Sequence, residues 1–215
     1  MSVHPDVAAL LDLVPADFAD GEQIDWAAAE AALETRLPTD YKSMLDVYGM
    51  GDIGELVILS PLPSDVRGWE SCHIGGMTAN LRWLWEEENG IPVVALGAEA
   101  VLPWGSGMNA NEMAWLMNGP DPDKWPVVAW RRQHSWKERP WALFDCGMVQ
   151  FITRMMRGQF DSCPLGDASL WKQTGTFVSW HEQRRRLIAG LDPQTGEPNP
   201  YAEMYPITED WPYPA

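Results

Sequence analysis

The segment from residue 100 to residue 131 constrains the fold more than any other part of the chain. Residues 112–117 and 126–131 are short apolar runs, and the polar loop NGPDPDK at 118–124 lies between them. Asn, Gly, Pro and Asp favour tight turns, so the two runs are predicted to pair as an antiparallel hairpin. Similar apolar runs predict further strands at four positions: residues 55–59, 92–96, 100–104 and 141–144.

Segments with helical spacing of apolar residues flank the strands on both sides. The predicted capping residues are Asp25, Thr39 and Asp145, and Gly49 fits a left-handed helix exit. Six helices are predicted, over residues 4–14, 25–37, 39–48, 78–89, 145–157 and 176–189. Helices come first, strands cluster in the middle and helices follow. This order indicates an α+β fold with a central, mainly antiparallel sheet flanked by helices.

The length of 215 residues fits one domain with a distinct C-terminal segment. We expect a single domain over residues 1–191 and an extended tail over 192–215. The tail holds six of the 18 prolines, three of the five tyrosines and Trp211. Disordered tails are poor in aromatic residues, so this one is predicted to pack on the domain and to bury Tyr205 or Trp211.

The charge distribution limits the classes of partner. Formal net charge is −16, and residues 1–70 carry 14 acidic residues against three basic ones. Such a field repels nucleic acid and anionic lipid and attracts basic proteins, although acidity also serves solubility alone. Neither a signal peptide nor an apolar run of membrane-spanning length is found, and three widely spaced cysteines favour free thiols in a reducing compartment. We therefore expect a cytoplasmic protein that binds neither membranes nor nucleic acid.

No catalytic or metal-binding motif has the context that its chemistry needs. Residues 49–54 match G-x-G-x-x-G, but the predicted helix precedes the glycines, whereas a phosphate cradle needs a helix after them. His181-Glu182 lacks the second histidine of a zinc helix, because position 185 is Arg185. Ser169 and Lys172 match S-x-x-K without its companion motifs. We therefore expect no cofactor, no metal and no catalysis.

Several short blocks between residues 24 and 158 resemble the SUKH superfamily. Their order along the chain carries the resemblance: the Trp26 helix, LPTDY at 37–41, Tyr48-Gly49, Trp104-Gly105-Ser106, Asn109, the Trp115 strand, Asp123, Trp125-Pro126-Val127, the Phe151 helix and Gly158. The superfamily implies an α+β fold and a non-catalytic role. Its bacterial members resemble immunity proteins that neutralise toxins, many of which act on nucleic acids, and other members resemble regulators of cell-wall synthesis.

The resemblance and the charge together predict an immunity protein that neutralises a cognate, basic toxin domain, such as a nuclease of a bacterial polymorphic or contact-dependent toxin system. An intracellular adaptor or regulator of the cell-wall-synthesis type is the alternative, and an enzyme with unrecognised motifs is a third. About three-quarters of the 13 tryptophans are expected in the core, and the others are candidate contacts. The predicted partner-binding residues are Asp46, Asp52, Glu55, Glu86, Glu87, Glu88, Trp104, Asn109 and Asn111.

Overall fold

One seven-stranded antiparallel sheet forms the centre of the protein. The computed structural model describes residues 3–21, 23–107, 109–135, 138–166, 170–204 and 206–209. The strands are β1 Gly51–Ile53, β2 Leu56–Ile58, β3 Val101–Gly107, β4 Glu112–Leu116, β5 Val127–Trp130, β6 Trp141–Phe144 and β7 Phe177–Ser179. Their order in the sheet is β6-β5-β4-β3-β2-β1-β7, and every neighbouring pair is antiparallel. The predicted hairpin is confirmed as β4 and β5.

In the described part of the chain, six α-helices flank the sheet. They are α1 Pro5–Leu11, α2 Trp26–Ala32, α3 Thr39–Tyr48, α4 Ile74–Glu87, α5 Met148–Met156 and α6 Trp180–Ile188. Short 3-10 turns cover Ala98–Ala100 and Pro122–Lys124. The predicted α+β class is confirmed. No helix in the described part of the chain is both long enough and apolar enough to cross a membrane.

Several local predictions are wrong. Residues 92–96 form a turn and irregular chain, because Ala95 has a φ of +52°, which a strand cannot accommodate. Helix α4 begins four residues before Thr78, since the side chain of His73 accepts a hydrogen bond from the Gly76 N–H and caps it there. The last predicted helix starts only at Trp180, because the residues before it pair with β1 as β7.

Two helices are capped by residues that are distant in sequence. Asp25 caps α2 as predicted, but neither the Thr39 nor the Asp145 side chain caps its helix. Instead, the Thr39 N–H donates to Asp123 Oδ1 at 2.6 Å, and the Val149 N–H donates to Asp40 Oδ2 at 3.0 Å. The carboxylates therefore tie α3 to the turn before β5, and α5 to α3.

The sheet separates two apolar layers. Helices α1, α3 and α5 cover one face with a core that includes Tyr41, Trp104, Trp115 and Phe151. Helix α4 covers part of the other face, where Leu81, Leu84 and Trp85 pack with Ala114, Leu116, Val128, Trp130 and Trp141. Seven of the eleven described tryptophans are buried. Trp83 differs from all of these, with 56 % of its surface exposed.

Residues 191–199 turn back against α6. The Arg186 guanidinium donates to the carbonyl oxygens of Pro193 and Gln194 at 3.1 and 2.8 Å. The Gln194 amide donates to the Asp52 carboxylate at 3.3 Å. Tyr205 and Trp211, which were predicted to hold the tail, lie outside the described residues, so their burial and the division at residue 191 stay predictions.

Candidate functional site

The described residues contain no candidate metal centre. Among them, no group of three or more His, Cys, Asp and Glu side chains is arranged to hold a metal ion. The glycine-rich run at 49–54 links the end of α3 to β1, and Gly49, with a φ of +77°, closes the helix. A helix that ends at the glycines turns its carbonyl oxygens toward them, so this run offers no N–H cradle for phosphate.

Five of the predicted contact residues are acidic side chains at the protein surface. Asp46 is exposed on α3, where it accepts a hydrogen bond from the Trp26 indole at 3.2 Å. Glu55 is half-buried in the turn between β1 and β2. The other three, Glu86, Glu87 and Glu88, are exposed at the C-terminal end of α4. These side chains are available to a partner in solution.

Asp52, in contrast, is a buried structural residue. Its carboxylate accepts hydrogen bonds from the Trp180 indole and the Gln183 amide, both at 2.9 Å, and from Gln194. Burial raises the pKa of Asp52 to about 6, and these two closer hydrogen bonds oppose the rise. Asp52 therefore joins β1 to α6 and to the turn at 191–199. Its expected place on the surface is wrong.

The prediction that Trp104 is an exposed contact residue is also wrong, because its ring is fully buried. The pairing of β3 with β4 shifts register between Pro103 and Gly105, as in a β-bulge. Trp104 is the extra residue of this bulge, and its ring lies in the core. The centroid of the ring is 5.9 Å from that of Phe151 and 6.4 Å from that of Trp115. Truncating this residue removes core packing.

The two predicted asparagine contacts have different positions. Asn109 is exposed in the turn between β3 and β4. Asn111 is 2 % exposed, its amide donates to the Leu165 carbonyl at 3.1 Å, and its Oδ1 accepts from the Arg132 N–H at 3.1 Å. Asn111 therefore joins two loops inside the protein, and its expected place on the surface is wrong. Asn109 stays a candidate contact.

Glu112, which the sequence did not single out, is a second buried carboxyl group on the α4 side of the sheet. It stands opposite Ser106 on β3 and Trp130 on β5, and the Ser106 hydroxyl donates to Glu112 Oε1 at 3.3 Å. Burial raises its pKa to about 7, which the Ser106 hydrogen bond opposes. Asp52 lies three strands away from Glu112, in the line of paired residues that runs across the sheet through Ser106 and Val57. At normal strand spacing the two residues are roughly 14 Å apart. That separation is too long for an acid and a base to act on one substrate atom.

The outer face of α4 combines an aromatic ring with negative charge. Leu81, Leu84 and Trp85 face the sheet, so helical geometry turns Trp83 outward. Glu86 and Glu87, three and four residues further on, lie beside the Trp83 ring. The same periodicity that predicted the inward residues could have identified Trp83 as exposed. We call Trp83, Glu86 and Glu87, together with Glu88 at the C-cap of the helix, the α4 acidic face.

The glutamates of the α4 acidic face lack a close ion-pair partner among the described residues. They lie at the negative end of the helix dipole, where acidic residues destabilise a helix. A cation from another molecule would relieve this repulsion.

Searches with protein-family models, curated protein sequences and solved structures gave no match for this chain. The likeness to the SUKH superfamily therefore stays a resemblance carried by the short blocks between residues 24 and 158. The described residues form an α+β fold, and among them Trp83 is the one exposed tryptophan, beside three glutamates at the end of α4 that form no ion pair with the rest of the described chain.

Proposed function

We propose that this protein is a non-catalytic immunity protein that binds and neutralises a cognate, basic toxin domain, such as a nuclease of a bacterial polymorphic or contact-dependent toxin system. The observation that carries the proposal is the α4 acidic face, where three exposed glutamates lack an ion-pair partner among the described residues. The SUKH-like blocks and the net charge of −16 support the same function.

An acidic surface supports inhibition of a basic enzyme in two ways. It attracts the enzyme from a distance, which raises the association rate well above that of neutral partners at low salt. It also occupies the cationic surface that would otherwise hold the phosphates of a nucleic-acid substrate. Neither effect needs a nucleophile or a metal, so the proposed activity is competitive binding.

Replacing Glu86, Glu87 and Glu88 together by Gln is expected to slow association with the toxin domain, chiefly at low salt. Surface charges act over a screening length of roughly 8 Å at physiological ionic strength, so the difference from wild type should shrink as salt rises. Dissociation should change less, because charges at a rim mainly govern encounter. Stopped-flow association kinetics across a salt series measures both rates.

A matched control removes three exposed charges elsewhere. Asp12, Glu34 and Asp145 are exposed and follow α1, α2 and β6, away from α4. The triple variant Asp12→Asn, Glu34→Gln, Asp145→Asn changes net charge equally and should slow association less. Equal slowing by both triple variants would assign the effect to net charge and contradict a role of the α4 acidic face.

Co-expression with the product of the neighbouring gene tests the function itself. The proposal expects that product to be toxic alone and harmless beside this protein, and the two proteins to purify as a complex. A product that is harmless alone, or that stays toxic beside this protein, would make the immunity function wrong. The adaptor or regulator function would then replace it.

A further inference from the structure

We infer that the outer face of α4 is the docking surface for the partner, that Trp83 is its central contact, and that the partner presents an apolar cleft bordered by Lys or Arg side chains. This inference rests on the proposed function, because it names the contact residue and the partner chemistry of that binding activity.

The exposure of Trp83 is the first observation. Trp83 is 56 % exposed, although indole rings are large and seven other tryptophans of this protein are buried. Trp85, two residues further along α4, shows what a structural tryptophan does here. Its ring packs against Trp141 at 4.8 Å between centroids, and its N–H donates to the Leu96 carbonyl at 3.2 Å. Trp83 lies on the opposite side of the helix, so the packing of α4 on the sheet does not require its ring.

The shape around Trp83 also suits docking. On the N-terminal side of the ring, the outer face carries Ala79 and Asn80, which are exposed and small. On the C-terminal side it carries Glu86 and Glu87. A partner can therefore approach the flat side of the ring over the small residues while its cations reach the carboxylates. In protein interfaces, most of the binding energy usually comes from a few central residues, often aromatic, and the surrounding rim is polar.

Charge decides which occupant fits this face. The indole face attracts guanidinium and ammonium groups, and the neighbouring carboxylates bind the same groups. Nucleic acid and anionic lipid are repelled by the glutamates. A second copy of this chain would bring three more glutamates against the first three, so pairing between two α4 faces is unfavourable. A basic protein surface satisfies both the ring and the carboxylates.

The test measures binding of wild type, Trp83→Ala, Trp83→Phe and Val93→Ala to two probes. One probe is the product of the neighbouring gene with its activity abolished by mutation, and the other is fluorescently labelled nona-arginine. Val93 is 90 % exposed just beyond α4, so Val93→Ala is the control for loss of an exposed apolar side chain. The urea midpoint of each variant checks that the fold is intact.

Trp83→Ala is expected to weaken binding of the gene product by about thirtyfold, as for a central interface residue. Binding of nona-arginine should weaken by about two- to fivefold, the size of an exposed cation–π contact. Trp83→Phe should recover part of both losses, and Val93→Ala should bind like wild type. Unchanged binding of both probes by Trp83→Ala overturns the inference, as does equal weakening by Val93→Ala.

The two probes separate failure of the inference from failure of the proposed function. Neutralisation of the toxin by wild type and by Trp83→Ala alike would leave the immunity function standing and reject the α4 face as its docking surface. A gene product that does not bind wild type would reject the immunity function. In that case the nona-arginine measurement still decides whether Trp83 and its glutamates form a cation-binding protein surface.

Discussion

Replacing Trp104 by Ala is expected to lower the free energy of unfolding by about 3–5 kcal/mol, the usual cost of truncating a fully buried large aromatic residue. The Trp104 ring is 0 % exposed and lies in the core beside Trp115 and Phe151. Its loss removes both the transfer free energy of the indole and the contacts that line the resulting cavity. A domain with marginal stability would lose a large part of its folded population.

Urea denaturation of the variant measures this loss. Trp83→Ala is the matched control, because the same side chain is removed from an exposed position and should change the free energy of unfolding by about 0.5 kcal/mol or less. The fraction of Trp104→Ala that remains folded should bind the partner with an unchanged association rate, since the ring is not on the surface. A loss of binding without a loss of stability would contradict the core role of Trp104.

Replacing Glu112 by Gln is expected to stabilise the protein at neutral and alkaline pH by about 3 kcal/mol at most. Burial raises the pKa of Glu112 from its ordinary 4.5 to about 7, so the folded state favours the protonated carboxyl. The contribution of this group to stability is therefore complete below pH 4.5 and is lost as the pH rises to about 7. A Gln side chain has nearly the same shape as Glu and stays neutral, so the variant does not lose stability as the pH rises.

The geometry of Glu112 explains why the amide is tolerated. Its Oε2 has no hydrogen-bond partner among the described residues, and its Oε1 accepts only from Ser106. Thermal unfolding of wild type and Glu112→Gln between pH 4 and pH 8 tests the expectation, with Glu86→Gln as a control that removes one exposed charge. The gap between wild type and Glu112→Gln should open as pH rises. A gap that is constant with pH, or equal for Glu86→Gln, would contradict a raised pKa at Glu112.

The sequence by itself determined the elements whose signals are local. Helix α3 lies where it was predicted and ends at Gly49, because apolar residues recur with helical spacing and the glycine ends the helix. The hairpin of β4 and β5 follows from two apolar runs around a turn-rich loop. Glu86, Glu87 and Glu88 also lie at the C-terminal end of α4, as predicted. In each case the decisive residues are within about one helical turn or one tight turn of each other.

The tertiary structure alone decided which polar groups are buried and that the Trp104 ring lies in the core. Asp40 and Asp123 accept hydrogen bonds from helical N–H groups that are 109 and 84 residues away from them in sequence. Asp52 receives donors from residues 180, 183 and 194, and the Trp104 ring, at the bulge of β3, is fully buried in the core. A buried carboxylate is stable only where distant donors converge on it, and no local pattern encodes that convergence. Short strands such as β7 have the same origin, because three residues form a strand only when a neighbouring strand supplies their hydrogen bonds.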